Sequence, residues 1–258
     1  MKLYFKAFKL NIRSFMQYKA SFILSFISQL ITVFSYYFII IALFTKFDNI
    51  KGFTLYEVLL CFGIIQFGFS FNELFARGLD QFDRLIIDGG FDRLLLRPKN
   101  IIIQVLSTDS DLTKSARLLE SFVIIIIALI KLNLSWTFLK ALTLILMLIS
   151  SCIIFFGIFL ISASYCFFTI QGLEFRNLLA DGGKHIAQYP IGIFKKGILY
   201  FFTFIIPYGF VNYYPLLYLL GRKDNMLYAF SPLIVLIYLV PCFCLFYKGS
   251  KRYASTGS

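Results

Sequence analysis

Residues 25–44 read SFISQLITVFSYYFIIIALF and lie within Ala20–Thr45, a stretch of 26 residues without a charged side chain. Gly197–Gly221 and Asn225–Tyr247 are also uncharged, over 25 and 23 residues. About 20 apolar residues in a helix cross the hydrocarbon core of a bilayer. Backbone amides must be paired in lipid, and residues 25–44 lack the apolar–polar alternation of a barrel strand. These stretches therefore predict membrane-spanning helices.

The composition also indicates a membrane protein. Hydrophobic residues make up 59% of the chain and charged residues 15%, too few to cover a soluble core of this size. A net charge of +12 would suggest nucleic acid for a soluble protein. Here an anionic membrane surface accounts for the charge better, and no nucleic acid partner is expected. The cysteines follow no pairing pattern and are expected to pack as small apolar residues: Cys61, Cys152, Cys166, Cys242 and Cys244.

The predicted fold is an all-α integral membrane protein with six transmembrane helices in a single domain, 1–258. The approximate bounds of the helices are 20–45, 55–76, 113–130, 139–165, 198–218 and 228–247. The third helix is the weakest prediction because Arg117 and Glu120 lie within it. The fourth lies in Ala141–Leu173, whose 33 uncharged residues are too many for one upright span and too few for two.

The basic residues orient the predicted helices. An even number of spans places both termini on one side of the membrane. That side would carry 19 Lys and Arg residues, and the opposite side 6. Because cytoplasmic loops carry the excess of positive charge, both termini are predicted to be cytoplasmic.

The first 19 residues have an amphipathic pattern. Leu3, Phe5, Phe8, Ile12 and Phe15 follow near-helical spacing, with basic residues between them. A helix lying in the cytoplasmic interface would place this apolar face in the acyl boundary and its cations near lipid phosphates. The alternative is a simple cytoplasmic extension of the first span.

The loop between spans two and three, 77–112, is the longest and contains a near-repeat. FDRLI at Phe82–Ile86 is followed by FDRLL at Phe91–Leu95, and an arginine–proline pair comes shortly after. Apolar residues fall on one helical face, Asp80 and Arg84 are spaced for an ion pair, and the proline would end or kink the helix. The pattern predicts a short amphipathic cytoplasmic helix, which could dock a soluble partner or pack against the base of the bundle.

Two prolines interrupt the fifth predicted span. Pro207 and Pro215 lie in the sequence IIPYGFVNYYP, which indicates a break near the outer face. Tyr208, Tyr213 and Tyr214 would then lie at the membrane interface, where tyrosine is favoured. Both a re-entrant outer segment and a merely kinked helix fit this pattern.

Motifs for catalysis are missing from the sequence. There is no GxxxxGK[ST] loop for ATP, and Gly182–Gly183–Lys184 lacks the upstream Gly and the following Ser or Thr. The one histidine, His185, has no second ligand nearby, and neither HExxH nor GxSxG occurs. No catalytic, cofactor-binding or metal-ligating residue is predicted. Proton- or sodium-coupled transport is disfavoured because no segment in the first half mirrors the broken fifth span.

Three segments resemble the permease subunits of ABC-2 type transporters, specifically a group of bacterial six-span permeases. They are GLDQFDRLIIDGGFDRLLLRPKNIIIQVL (Gly78–Leu106), GLEFRNLLADGGKHIAQYPIGIF (Gly172–Phe194) and FIIPYGFVNYYPLLYLLG (Phe204–Gly221). In such permeases the first segment ends in a similar LLRP element, the second carries a similar YP, and the third a similar P-x-x-F-x-N-Y-x-P. With the six spans, the resemblance covers essentially the whole chain.

The resemblance implies a function and a set of partners. The chain would form half of a translocation path, paired with a second related six-span permease in a hetero- or homodimer. Two copies of a separate P-loop ATPase would bind ATP and Mg, so that this chain holds no cofactor and is not itself an enzyme. Export would be the direction of transport, and the location would be the lipid bilayer of the bacterial cytoplasmic (inner) membrane.

The resemblance also implies roles for named residues. Those implied to couple to the ATPase are Phe82, Asp83, Arg84, Leu85, Phe91, Asp92, Arg93, Leu94, Leu95, Arg97 and Pro98. Among them Phe82, Leu85, Leu94 and Leu95 would be apolar knobs within a charged rim. The outer-face re-entrant segment would contain Pro207, Asn212, Tyr213, Tyr214 and Pro215.

Two other functions stay open at this point. One is a non-transporting membrane scaffold that uses the same loop to recruit a partner, and the other is an integral membrane enzyme that acts on lipids. The aromatic and aliphatic spans suit an amphiphile, a lipid-linked molecule or a hydrophobic drug as substrate.

Overall fold

A computed structural model describes residues 2–169 and 173–254. Over these residues the chain is helical, with no β-strand beyond a single bridge between Ile50 and Phe53. The α-helices are α1 Lys2–Gln17, α2 Lys19–Phe44, α3 Leu55–Phe75, α4 Arg77–Asp80, α5 Phe82–Ile87, α6 Gly90–Leu95, α7 Ile101–Leu106, α8 Ser115–Leu132, α9 Phe138–Tyr165, α10 Leu173–Arg176, α11 Gly183–Ala187, α12 Lys196–Tyr200, α13 Tyr214–Leu219, α14 Met226–Phe230 and α15 Val235–Arg252. Short π-helical or 3₁₀ segments join several of them: Leu112–Lys114, Asn177–Gly182, Ile191–Ile193, Phe201–Ile205, Gly209–Tyr213 and Ser231–Ile234.

Four helices in the described part of the chain are long and apolar enough to cross a membrane. They are α2, α3, α9 and the continuous helical stretch Met226–Arg252. The predicted third span corresponds to α8, whose 18 residues include Arg117, Glu120 and Lys131. These charges reduce its apolar character, so the total of six spans stays a prediction.

The third helix, α3, forms the centre of the fold. It packs against α8 on one side and α9 on another, and 16 of its 21 residues, all of which the structure describes, are buried. Gly63 and Gly68 permit this close packing. A Cβ atom at Gly68 would overlap the backbone of Ser151 in α9, and one at Gly63 would lie 2.6 Å from Ile125 in α8. Small residues of this kind let helices in a membrane approach each other closely.

The chain that follows α9 runs along α3 from its Phe75 end to its Leu55 end. Arg176 reaches Asp80 just beyond the Phe75 end, at 3.0 Å. Further along, Gln188 donates to the side chain of Gln66 in the middle of α3. Ile193 then packs in the apolar cluster that contains Phe53, beside the Leu55 end. Residues 173–193, predicted to be largely a cytoplasmic loop, therefore extend along the whole length of α3.

Residues 196–221 fold as a helical hairpin and not as the single span predicted at 198–218. The first arm ends at Ile206, whose backbone is extended (φ −118°, ψ 100°), and Pro207 follows without an N–H to continue the helix. Tyr208 at the bend is fully buried, and its ring centre lies 5.6 Å from that of Phe155 in α9. Its placement at a membrane interface stays a prediction. The second arm returns to the Leu55 end, where Arg222 pairs with Glu57 at 2.7 Å.

The amphipathic N-terminal segment forms a helix of its own, α1. Tyr18 has non-helical dihedral angles (φ −112°, ψ 60°) and separates α1 from α2. The Tyr4 hydroxyl donates to the Phe75 carbonyl at 2.7 Å, and Asn11 donates to Ser110 at 2.9 Å. The helix α1 therefore lies across the Phe75 end of α3, while its position in a membrane interface stays a prediction.

Candidate functional site

The near-repeat of the long loop turns its phenylalanines toward the core. Phe82 in α5 and Phe91 in α6 are fully buried, and their rings lie 5.2 Å apart. Both contact Phe167, and Phe82 also contacts Phe246 of α15. Gly89, with φ +63°, makes the turn that brings α5 and α6 together. Phe82 and Leu94, two of the apolar residues implied to couple to the ATPase, are therefore buried within this chain.

The exposed part of the loop is its tip after α6. Leu96 is 85% exposed, Leu95 is 42% exposed, and Arg97 and Pro98 are exposed beside them. Arg84 and Arg93 are also exposed, whereas Asp83, Leu85 and Asp92 are half-buried. Apolar side chains held in solvent next to basic ones are typical of a protein-docking surface.

One predicted ion pair does not form. Asp80 binds Arg77 at 2.8 Å and Arg176 at 3.0 Å, while Arg84 instead donates to Gln81 at 3.1 Å. The spacing of Asp80 and Arg84 would fit a continuous helix, but Gln81 has non-helical dihedral angles (φ −109°, ψ 33°) and separates α4 from α5.

A cavity of about 350 Å³ lies between α1 and the loop. Leu3 and Ala7 of α1 line it on one side, and Leu94, Arg97 and Gln104 on the other. The exposed tip of the loop thus adjoins α1.

A cluster of charged side chains surrounds the Phe75 end of α3, and sequence reasoning missed it. The carboxylate of Glu73, which is 6% exposed, forms ion pairs with Arg117 at 3.1 Å, Lys114 at 3.2 Å and Arg77 at 3.8 Å. Arg117 lies in α8, and Lys114 lies in the turn before it. Arg117, whose charge made the third span a weak prediction, thus has a buried partner in Glu73, 44 residues earlier in the chain. The sequence did contain one signal. Glu73 interrupts the second predicted span near its end, and Arg117 interrupts the third near its start, at a similar depth.

Asp80 extends this cluster toward residues 173–193. Burial raises the pKa of Asp80 to about 6, although Arg176 and Arg77 each favour its charged form. Arg176 also lies 3.8 Å from Asp181, which in turn lies 3.8 Å from Lys184. The ammonium group of Lys184 sits over the ring of Phe69, 4.0 Å from its centre.

A polar cavity of about 380 Å³ opens in the middle of this cluster. The residues that line it are Phe69, Glu73, Arg77, Asp80, Gln81, Asp83, Arg84, Lys114, Arg117, Arg176 and Asp181. It lies between the end of α3, the start of α8, the loop helix α5 and the chain that follows α9. We refer to it below as the polar cavity.

The residues predicted for the outer-face segment lie on or beside the second arm of the hairpin. Asn212 donates to the backbone carbonyl of Ala187, which fixes this arm against residues 173–193. Tyr213 packs near Phe53, and Tyr214 stacks 5.4 Å from Phe210. Pro215 stands in the first turn of α13, where a proline is tolerated, and Pro207 lies at the bend. Re-entry of this hairpin into a membrane stays a prediction.

No group of three or more His, Cys, Asp or Glu side chains that could hold a metal occurs in the described residues. The ring of His185 lies 5.2 Å from that of Tyr36 in α2, with 47° between the ring planes. Cys61, Cys166 and Cys242 are buried as free thiols, as packing residues would be.

The apolar helices and their buried centre define a multi-pass helical membrane protein, and the polar cavity lies at the Phe75 end of α3. A family model described as ABC-2 family transporter protein matches residues 30–257. The chain therefore belongs to this family, whose members are membrane components of transporters. No curated protein and no solved structure matches the chain.

Proposed function

We propose that the chain is the permease subunit of an ATP-driven exporter and couples to a separately encoded ATPase. Membership of the ABC-2 family is the observation that carries this proposal. The lack of a phosphate-binding loop in the sequence fits it, because ATP and Mg would be bound by two copies of the partner. A second six-span permease, identical or related, would complete the translocation path. The broad exposed surface of α2 offers one face for it.

The proposed topology keeps six crossings but moves the fifth. Residues 173–193 extend along all of α3, so they suit the fifth crossing better than 198–218. The hairpin 196–221 would then be a re-entrant segment of the outer side. With Lys195 and Lys196 on the outer side, and with Arg176 and Lys184 inside the fifth crossing, 15 basic residues remain on the side of the termini and 8 lie on the other. The bias still favours cytoplasmic termini. The proposed location is the bacterial inner membrane, as the family resemblance implies.

The loop tip is the proposed contact with the ATPase. Leu95, Leu96, Arg97 and Pro98 would enter the partner's cleft, while Phe82 and Phe91 behind them hold the tip to α15 and Phe167. Because the buried aromatic rings pack at 5–6 Å from one another, a movement of the tip would shift the attached helices as one body. This divides the predicted coupling residues into a contacting set and an anchoring set.

Co-purification from the native membrane tests the proposal. We expect the wild-type chain to retain a P-loop ATPase, and Leu96→Asp to lose it because a charge enters an apolar contact. Leu227→Asp is the matched control, since Leu227 is 77% exposed and lies in α14, away from the tip. Absence of any ATPase from an intact wild-type complex would refute the proposal. An ATPase that hydrolyses ATP without moving solute would favour a scaffold, and lipid turnover by the isolated chain would favour an enzyme.

A further inference from the structure

The polar cavity carries more positive than negative charge. Of the described residues that line it, five are basic and four are acidic. Lys184, 95% buried, lies beside the cavity, with its ammonium group 3.8 Å from the carboxylate of Asp181. The carboxyl-terminal end of α3 contributes about half a negative charge, which is too little to balance this excess. Arg84 is exposed and several other lining cations are partly exposed, so solvent screens part of this excess, and the remainder favours the entry of a counter-ion.

Arginine donors in the polar cavity are also incompletely used. Arg117 gives one terminal nitrogen to Glu73, while its buried Nε has no hydrogen-bond partner among the described residues. Three cations share the single carboxylate of Glu73, so its two oxygens cannot satisfy all of their donors. Guanidinium groups with free donors match the oxygens of a phosphate group.

The position of the polar cavity suits a headgroup at the membrane surface. It adjoins Phe69 and Glu73 in the last two turns of an apolar helix, the depth at which the hydrocarbon core meets the headgroups. Its volume of about 380 Å³ lies within the range of small-molecule sites. The amphipathic helix α1 crosses the same end of α3, so both features face one membrane surface.

We propose that the polar cavity binds the phosphate group of an anionic amphiphile taken from the leaflet beside it. The binding site stands on the charge, the unused donors and the volume of the cavity. Its identification as the uptake site for the transported substrate rests on the proposed permease function. Arg117, Lys114 and Arg176 would contact the phosphate, and Glu73 would hold these cations in place when the cavity is empty.

Native mass spectrometry of the purified full-length chain tests the binding site. The chain is exchanged into a non-ionic detergent and mixed with equal amounts of phosphatidylglycerol, which is anionic, and phosphatidylcholine, which is zwitterionic. We expect preferential retention of phosphatidylglycerol. Arg117→Gln should reduce the preference about tenfold, the effect of one charge-assisted hydrogen bond. Lys248→Gln, which removes an exposed cation of α15 outside the cavity, should leave it unchanged.

Glu73→Gln separates an anion site from a purely structural ion cluster. Removal of this carboxylate frees three cations, so retention of phosphatidylglycerol should rise, whereas a structural cluster would only lose stability. If Arg117→Gln does not elute as a folded monodisperse protein, Lys114→Gln replaces it. Equal retention of the two lipids by the wild-type chain, or no gain with Glu73→Gln, would overturn the proposal.

A competition experiment identifies the source of the phosphate. Displacement of phosphatidylglycerol by inorganic phosphate, with potassium chloride at equal ionic strength as control, would support a site that accepts the free anion. If phosphatidylglycerol stays bound in the presence of inorganic phosphate, the result would support an amphiphile as the ligand. No ATPase is present in these measurements, so their failure would leave the proposed coupling intact, and loss of the coupling would leave the anion site intact.

Discussion

Glu57 and Glu73 lie at opposite ends of α3, each only 6% exposed, and their surroundings differ in charge. In the described structure Glu57 pairs with one cation, Arg222, at 2.7 Å, whereas Glu73 pairs with three. Glu57 also accepts the backbone N–H of Thr54 at 2.8 Å, as part of the capping box that begins the helix. One end of α3 is balanced in charge, and the other is not.

The helix dipole explains part of this difference. Glu57 stands in the first turn, where the partial positive charge of the helix favours a carboxylate, so one cation suffices. Glu73 stands in the last turn, where the dipole opposes it. That opposition amounts to about half a charge and does not require three cations. We infer that the Leu55 end is a structural clamp and that the Phe75 end is arranged for a ligand.

The largest expected loss of stability comes from a substitution in the middle of α3, because this part of the helix holds both of its ends in place. Gly68→Val should prevent close packing on α9 and destabilise the fold by about 3 kcal/mol or more, since the added atoms overlap the backbone of Ser151. The measurement is the yield of monodisperse protein and its melting temperature in detergent. Ser28→Val on the exposed surface of α2 is the control, and equal behaviour of the two variants would contradict the packing.

The next effect tests the Leu55 end. Arg222→Gln leaves a buried carboxylate without its cation and should destabilise the protein by about 2 kcal/mol, less than for a fully buried pair because Arg222 is partly exposed. It should also release the second arm of the hairpin, because Arg222 donates to the carbonyl of Gly52. Thermal unfolding checks the stability, with exposed Lys223→Gln as the neighbouring control. A loss no larger than that of the control would show that Glu57 does not depend on this cation.

The two ends of α3 also show what the sequence could predict. Long uncharged apolar stretches form α2, α9 and α15, so the positions of these helices could be predicted from the composition and length of the stretches. The position of the proposed fifth crossing, 173–193, did not follow, because Arg176, Asp181 and Lys184 make these residues resemble a loop. Their partners Asp80 and Phe69 are distant in sequence, and only the folded chain places them at the same depth.

The loop near-repeat shows a second limit of sequence reasoning. Amphipathic spacing correctly indicated that Leu79, Phe82 and Ile86 belong to one apolar face, and all three are buried. It could not indicate what covers that face, because Phe167 and Phe246 lie about 80 residues or more away along the chain. The predicted coupling residues therefore included the buried Phe82 and Leu94 but not Leu96, which is 85% exposed.

A substitution at the Phe75 end of α3 should cost less stability than the one at the Leu55 end. Lys114→Gln removes one of three cations from Glu73, so it should reduce stability by less than about 1 kcal/mol, in contrast to Arg222→Gln. The same unfolding measurement checks it. A loss as large as that of Arg222→Gln would mean that Glu73 needs all three cations for stability, and that the end is a clamp like the other.

The smallest expected effect is a dependence of phosphatidylglycerol retention on pH. It should arise at the Phe75 end of α3 and not at the Leu55 end. The raised pKa of Asp80, about 6, means that this carboxyl is ionised at pH 7.5 and mostly protonated at pH 5.5. Arg77, Arg176, Glu73 and Asp181 are the charged groups that influence it. Protonation removes one negative charge from the polar cavity and frees two arginines, so retention of phosphatidylglycerol should rise roughly threefold at pH 5.5.

The phosphodiester of that lipid does not titrate in this interval, so the change must come from the protein. Asp80→Asn should bind as strongly at pH 7.5 as the wild type does at pH 5.5, and should lose the pH dependence. Glu57 and Arg222 lie outside the polar cavity, so Arg222→Gln should keep the full dependence. Equal retention by the wild type at both pH values would show that Asp80 does not control the charge of the cavity.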